Sequence, residues 1–254
     1  MPRLLLVGES WSVTSIHAKG FDTFTTVEYA EGGAALIEAL EAGGHDVAYM
    51  PSHVAANNFP ASADELSAFD VILFSDIGSN TLLLSSATFA RGQVTSNRLD
   101  VLCEWVRAGG GFGMIGGYLS FQGIDAKANY RNTSVAEILP VEMLAGDDRV
   151  EAPQGVRPTV VGSHAIVEGI RDAPPLLGYQ RLIARPGTQT VLAVGPDPLL
   201  TLGTAGAGRV AAYASDIGHH WAPEAFTNWE GFATIWSRTA SWLAGERAEE
   251  TGSP

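Results

Sequence analysis

The chain has 254 residues, 46% of them hydrophobic and 17% charged, with a formal net charge of -13 at pH 7. That balance suits a globular domain with a sizeable core, while 15 Lys and Arg against 28 Asp and Glu argue against nucleic acid or an anionic membrane as partner. A single cysteine, Cys103, leaves no disulfide framework and no cysteine-based zinc site; with no signal-peptide core and no apolar run of membrane length, the expected location is the cytoplasm.

In chain order, LLLV (4–7) reads as a first buried strand. GESWSVTSIHAKGFD follows as a loop, and GGAALIEALEAGG as a helix with Leu36, Ile37 and Leu40 on one face, stopped at Gly43-Gly44. DVAYM (46–50) and DVILF (70–74) are the next strands. SNRLDVLCEWVRAGGG forms a helix with Leu99, Leu102, Cys103 and Val106 at helical spacing, and FGMIG (112–116) and RVAAYA (209–214) complete the set. These strands are apolar on successive residues, the pattern of parallel strands covered on both faces. Between them, PTVV, RLIA, TVLAV and PLLTLG are short and broken by Pro and Gly. They read as an antiparallel insertion at about 140–208, placed before the last central strand. The expected fold is α/β: a doubly wound, mostly parallel, flavodoxin-like sheet with helices on both faces and a small antiparallel extension. One domain covers 1–246 and a polar tail covers 247–254. The closing helix carries Phe226, Trp229, Phe232, Trp236 and Trp242, a stripe for packing or for a subunit interface.

The tetrapeptide Ser-Asp-Ile-Gly occurs twice, at 75–78 and 215–218, each time directly after a buried strand. In an open α/β sheet ligands bind beyond the carboxyl ends of the strands, so Asp76 and Asp216 belong on one rim. Either could simply cap a following turn. As a pair, one could be held protonated by the other and serve as a general acid. The loop after the first strand brings Glu9, Ser10, Trp11, His17, Lys19 and Asp22 to the same rim. The loop after the second brings His53 and Asn57, and Asn80 follows the first repeat. Imidazole and carboxylate groups suit zinc or manganese, so a divalent metal is chemically open, but no His-x-x-x-His spacing supports one and no cofactor is expected.

IGGYLSFQG has the shape of a strand, tight turn and helix with small residues around a central one. It resembles the elbow of class I glutamine amidotransferases, Gly-x-Cys-x-Gly. Gly116 matches the first glycine, Tyr118 stands at the cysteine and Ser120 at the last glycine. The segment GAGRVAAYASDIGHHW resembles the closing strand and Gly-His turn of ThuA-like proteins related to trehalose utilisation. Gly206, Gly208, Arg209, Val210, Gly218 and His219 match. The chain from GESW to SDIGHHWAP is similar to the GATase1-like family. The resemblance implies the amidotransferase-like fold, places the triad histidine at His219 with His220 as rival, and offers Glu224 as the acid. A phenol at 118 cannot perform thiolate acyl transfer, and Cys103 lies on the apolar face of its helix.

Three readings follow. In the first, the protein acts on a small polar metabolite such as a sugar derivative, with His219 or His220 as acid or base, Asp76 or Asp216 orienting it and Tyr118 donating a hydrogen bond. In the second it is a binding or scaffold module. In the third it is a glutaminase using Ser10 or Ser120. A homo-oligomer is expected in each.

Overall fold

The computed structural model describes residues 1–245; the expected tail at 247–254 lies outside them. Strand β1 (Arg3–Gly8) leads into a long hairpin, β2 (Ser10–Lys19) and β3 (Asp22–Glu31). Helix α1 (Ala34–Ala42) returns the chain to β4 (Asp46–Met50), and α2 (Ser52–Asn58) and α3 (Ala63–Leu66) lead to β5 (Val71–Ser75). Then come α4 (Ser79–Leu83), α5 (Ser86–Phe89), α6 (Arg98–Arg107), β6 (Gly111–Ile115) and α7 (Val135–Ile138). A run of strands follows: β7 (Val141–Met143), β8 (Arg149–Val156), β9 (Thr159–Val160), β10 (Leu176–Gln180), β11 (Leu182–Ala184), β12 (Gln189–Val194), β13 (Asp197–Ala205) and β14 (Gly208–Tyr213). Helices α8 (Glu224–Thr227) and α9 (Glu230–Leu243) close the described chain.

The main sheet has eight strands in the order β4-β1-β5-β6-β14-β13-β12-β9. The first five are parallel and the last three antiparallel. Counting only the parallel strands, the order is second, first, third, fourth, fifth, the flavodoxin-like winding. Strands β5 and β6 are buried along their whole length, and β1 from Leu4 onward, because helices cover both faces; this is why their sequences do not alternate. The insertion is antiparallel as expected, but only β9, β12 and β13 join the main sheet. The pairs β8–β10 and β7–β11 stand apart as small sheets.

Two expectations are corrected. The segment after β1 is a hairpin rather than a rim loop. Lys19 pairs with Asp22 around a two-residue turn whose first residue, Gly20, has φ 67°, the glycine position of a type II′ turn. The alternating Thr, Val, Ile, Phe and Tyr residues on either side carried that signal in the sequence. Second, no helix follows Tyr118. Residues 117–123 form turns and lead only to a short 3₁₀ segment at Ile124–Ala126, so no helix N-terminus points at the elbow.

The aromatic stripe serves internal packing. Phe226, Phe232 and Trp236 are buried, with Trp236 edge-on to Tyr213 at 5.1 Å, and Trp242 lies under the Arg209 guanidinium. On the other side of the sheet, Arg98 is buried at the start of α6. Its guanidinium donates to the carbonyls of Leu82, Ala55, Ala56 and Thr81, tying α2, α4 and α6 together. Arg98→Met removes a charged donor from each of these carbonyls, of which Ala55 keeps the Phe59 N–H, so urea denaturation should show a loss of about 3 kcal/mol with the folded far-UV spectrum unchanged.

Candidate active site

The winding reverses around β1. The chain goes from β1 to β4 on one side and then to β5 on the other, leaving a crevice beyond the carboxyl ends of β1 and β5. Glu9 follows β1 and Asp76 follows β5. Both have positive φ, 49° and 42°, a left-handed conformation uncommon for residues other than glycine and often met at functional sites. Gly8, at φ 106°, permits the close approach: a Cβ there would lie 2.0 Å from the Ser75 carbonyl oxygen. Glu9 N–H donates to that same oxygen at 2.8 Å, and the Ser75 hydroxyl donates to the Glu9 carboxylate.

Asp216 follows β14 and comes to the same rim. Its Oδ1 accepts the N–H groups of Ile217 (2.7 Å) and Gly218 (3.1 Å), while Oδ2 faces His220 Nδ1 at 3.7 Å. Asp76 is arranged in the same way. Its Oδ1 accepts the Leu119 N–H at 2.5 Å, and its own N–H donates to Ser120 Oγ. Each aspartate therefore caps backbone with one oxygen, and both act on the charge of His220.

Charge is tightly coupled here. Burial, then Asp216, then Asp76 push the Glu9 carboxyl well above its ordinary value. Burial and then Asp216 push Asp76 up to about 6. Contact with Asp216 raises the His220 imidazolium, outweighing the burial that opposes it. The cause is general: carboxylates sharing a water-poor rim resist joint ionisation and favour a cation beside them.

Aromatic rings wall the dyad formed by Asp216 and His220. Tyr118 stacks on His220 with centroids 5.0 Å apart and planes 20° apart. Trp11 lies 5.6 Å from the same imidazole, and Trp221 lies 5.7 Å from Tyr118. The Arg149 guanidinium sits 4.9 Å over the Tyr118 ring, and Arg149 is itself paired with Asp147 and Glu151. Burial, then Glu151, raises the Tyr118 hydroxyl, so it remains a protonated donor. Trp221 Nε1 donates to Glu151 at 3.0 Å, and a Cβ on Gly178 would lie 2.2 Å from that nitrogen.

Sequence reasoning missed Arg149, Glu151, Trp221, Gln180 and Asp148. Arg149 and Glu151 share one face of β8 by simple alternation, but only the fold sends that face to the elbow. The Gln180 amide clamps Gly117 through both its N–H and its carbonyl. The charged run Asp147-Asp148-Arg149 reads in the sequence as a surface turn or an interface ion pair. Asp148 is in fact buried and accepts from Gln122 and Gly123 N–H, fixing the elbow loop.

Other expected residues lie elsewhere. His17 stacks on Phe24, and Lys19 sits over the same ring, both on the outer part of the hairpin with Asp22. His53 packs edge-on to Tyr29 at the hairpin base. Asn57 accepts the Ser86 N–H, and Ser10 Oγ accepts the Ser52 N–H; both are structural contacts. Asn80 is exposed in the first turn of α4. His219 parts from the dyad and, with Glu224 and Gly32, lines a small cavity of about 170 Å³. Cys103 is buried, its thiol pushed up to about 11 by burial. Among the described residues, no group of three or more His, Cys, Asp or Glu side chains is placed to hold a metal ion. A larger cavity, about 580 Å³, lies at the outer sheet edge beside Arg157, Val160 and Leu192, away from these groups.

Residues 3–245 match the family model GATase1_like, described as "Putative glutamine amidotransferase". Two solved structures from Salmonella typhimurium are similar over most of both chains. Cytoplasmic protein STM3548 is 46% identical at TM-score 0.92, covering 94% of this chain and 98% of its own. Cytoplasmic protein STM1381 (strain LT2) is 45% identical at 0.92, covering 95% and 99%. A ThuA-like protein from Parabacteroides merdae shares the fold at 11% identity and TM-score 0.57, covering 98% and 92%. No curated protein matches the chain. Among the described residues no helix is long and apolar enough to cross a membrane.

Two outcomes follow for the dyad. Asp216→Asn should lower the His220 pKa, read from the ring proton shifts by NMR. The pairing with Asp216 stabilises the fold fully below the ordinary histidine value and is lost as pH rises through the raised one. For Asp76 the sign is opposite to that of a salt-bridged carboxylate. The folded state holds its proton more tightly, so ionisation costs stability between the ordinary value of 3.8 and about 6. Asp76→Asn should therefore gain stability over the parent as pH rises from 4 to 7 in denaturant titrations, and show no such gain below pH 4.

Proposed function

This chain belongs to the GATase1_like family, and we propose that it uses the fold for general acid–base chemistry on a small, neutral, hydroxylated metabolite such as a sugar derivative. The observation that carries this reading is His220, set against the Asp216 carboxylate at 3.7 Å and stacked on Tyr118 at 5.0 Å.

The protonation order follows from the shifts. With Asp76 near 6 and His220 raised above 6.5, the dominant state between them is ionised Asp76 with protonated His220. Asp76 is then the base and His220 the acid, with Asp216 holding the imidazolium proton and orienting the ring. Asp76 takes a proton from the substrate while His220 delivers one to a substrate oxygen, which balances as an isomerisation or an elimination. Tyr118 donates a hydrogen bond, and the half-buried Trp11 offers an apolar face to a sugar ring, while the buried Trp221 backs Tyr118. Substrate charge is constrained as well. Three carboxylates line the rim, and Arg149 is neutralised by Asp147 and Glu151, so phosphorylated or acidic ligands are disfavoured.

The glutaminase reading has little support. Tyr118 stands where the elbow cysteine would be, Cys103 is buried, and the Ser10 and Ser120 hydroxyls accept backbone N–H groups. A binding-module reading draws on one observation, that Oδ1 of both aspartates already caps backbone. Both Salmonella relatives are named as cytoplasmic proteins, which supports a cytoplasmic setting for this chain.

A thermal-shift screen separates these readings, since a ligand of the native state raises Tm by mass action. Neutral sugars and polyols should raise the Tm of the parent but not of His220→Ala. Chemical turnover of a hit should show a bell-shaped pH profile, and Asp76→Asn, which removes the base, should abolish turnover while leaving binding of the hit detectable. Binding without turnover supports the module, and ammonia release from glutamine overturns the proposal.

A further inference from the structure

The hairpin β2–β3 is the least supported element of the fold. It forms a sheet of its own and meets the body only near its base, where Tyr29 packs against His53 and Ser10 accepts from Ser52. Ten residues per strand give a reach of roughly 33 Å at about 3.3 Å per residue. A two-stranded hairpin is marginal by itself in water; three strands or a packed face are needed for stability.

Its surface is also unusual. Val13, Ile16, Phe21, Phe24, Val27 and Tyr29 are all exposed, Ile16 by 76% and Phe21 at the tip completely. Cross-strand partners share a face, and the pairs Ser12–Tyr29, Thr14–Val27, Ile16–Thr25 and Ala18–Thr23 make an uncharged stretch along one face, bounded at the hairpin base by Ser10–Glu31. Neither strand contains proline, and neither edge is blocked by another strand, so the usual protection of an edge is absent.

We propose that this arm is an assembly element whose uncharged face and tip are covered by a second copy of the same chain. Ile16, Val27 and Tyr29 lie on that face and Phe21 at the tip, one contiguous apolar strip left open to solvent, whereas Val13 and Phe24 belong to the opposite face with Glu28, Lys19 and Asp22. The chemistry fits a second copy. A face of Thr, Val, Ile and Ala has no charge with which to recognise nucleic acid or a charged peptide, yet it complements itself, as the two-fold contact between identical chains requires. The aromatic helix α9 is packed internally, so it leaves the arm as the main apolar surface of the described residues.

The test is sedimentation equilibrium of the full chain and of the double variant Ile16→Asp, Val27→Asp. The parent should sediment as a dimer or larger and the variant as a folded monomer, its far-UV spectrum unchanged. Should the charged variant unfold, a chain with residues 14–27 replaced by Asn-Gly serves instead, since Val13 and Glu28 are register partners that a two-residue turn can join. A parent that is monomeric at high micromolar concentration overturns the proposal. So does a variant that keeps the mass of the parent.

Discussion

The reversal of winding around β1 is the constraint on which the rest depends. Because β4 and β5 flank β1 on opposite sides, the crossovers leave its carboxyl end uncovered, and three chain segments must turn sharply in a narrow space. Glu9 and Asp76 make those turns in left-handed conformations. Such residues cost on the order of 1–3 kcal/mol each and persist only where surrounding bonds hold them. Here the bonds are the Ser75 carbonyl on Glu9 N–H and the Ser120 hydroxyl on Asp76 N–H. Tyr130 adds a third tie, donating from the core to the Ile77 carbonyl.

Crowding three carboxylates on that rim has an electrostatic consequence. Burial and mutual repulsion hold the protons of Glu9 and Asp76 longer than water would, and contact with Asp216 does the same for His220. The amidotransferase elbow depends on a thiolate. The elbow in this chain carries instead a phenol, stacked on that histidine and braced by Arg149, Glu151 and Gln180. The rim sets carboxyl, imidazole and phenol groups side by side against aromatic rings.

The two Ser-Asp-Ile-Gly segments show what repetition means in such a fold. Both serines and both isoleucines are buried, and both aspartates cap a turn. The likeness stops there. Asp76 is left-handed and partly exposed, whereas Asp216 is fully buried and directed at His220. Similar words at two strand ends solved the same local problem, and their shared crevice follows from strand order.

The winding class, the five central strands and helices α1 and α6 were legible in the sequence, because burial on both faces writes continuous apolar runs and helix faces write a 3.6-residue period. Asp76, Asp216, Tyr118 and His220 could be assigned to one rim for the same reason, since each follows such a strand. The hairpin was legible through its Gly-Phe turn and alternating residues, but it competes with a loop reading when no core partner is evident. The placing of His220 rather than His219 beside Asp216, the entry of Arg149 and Glu151, and the removal of His17 and Lys19 to the outer arm were decided by the tertiary structure alone. Those outcomes depend on which residues distant in sequence arrive at the same strand ends. Sequence periodicity records the burial of a residue, whereas the partner it meets is set by packing between elements.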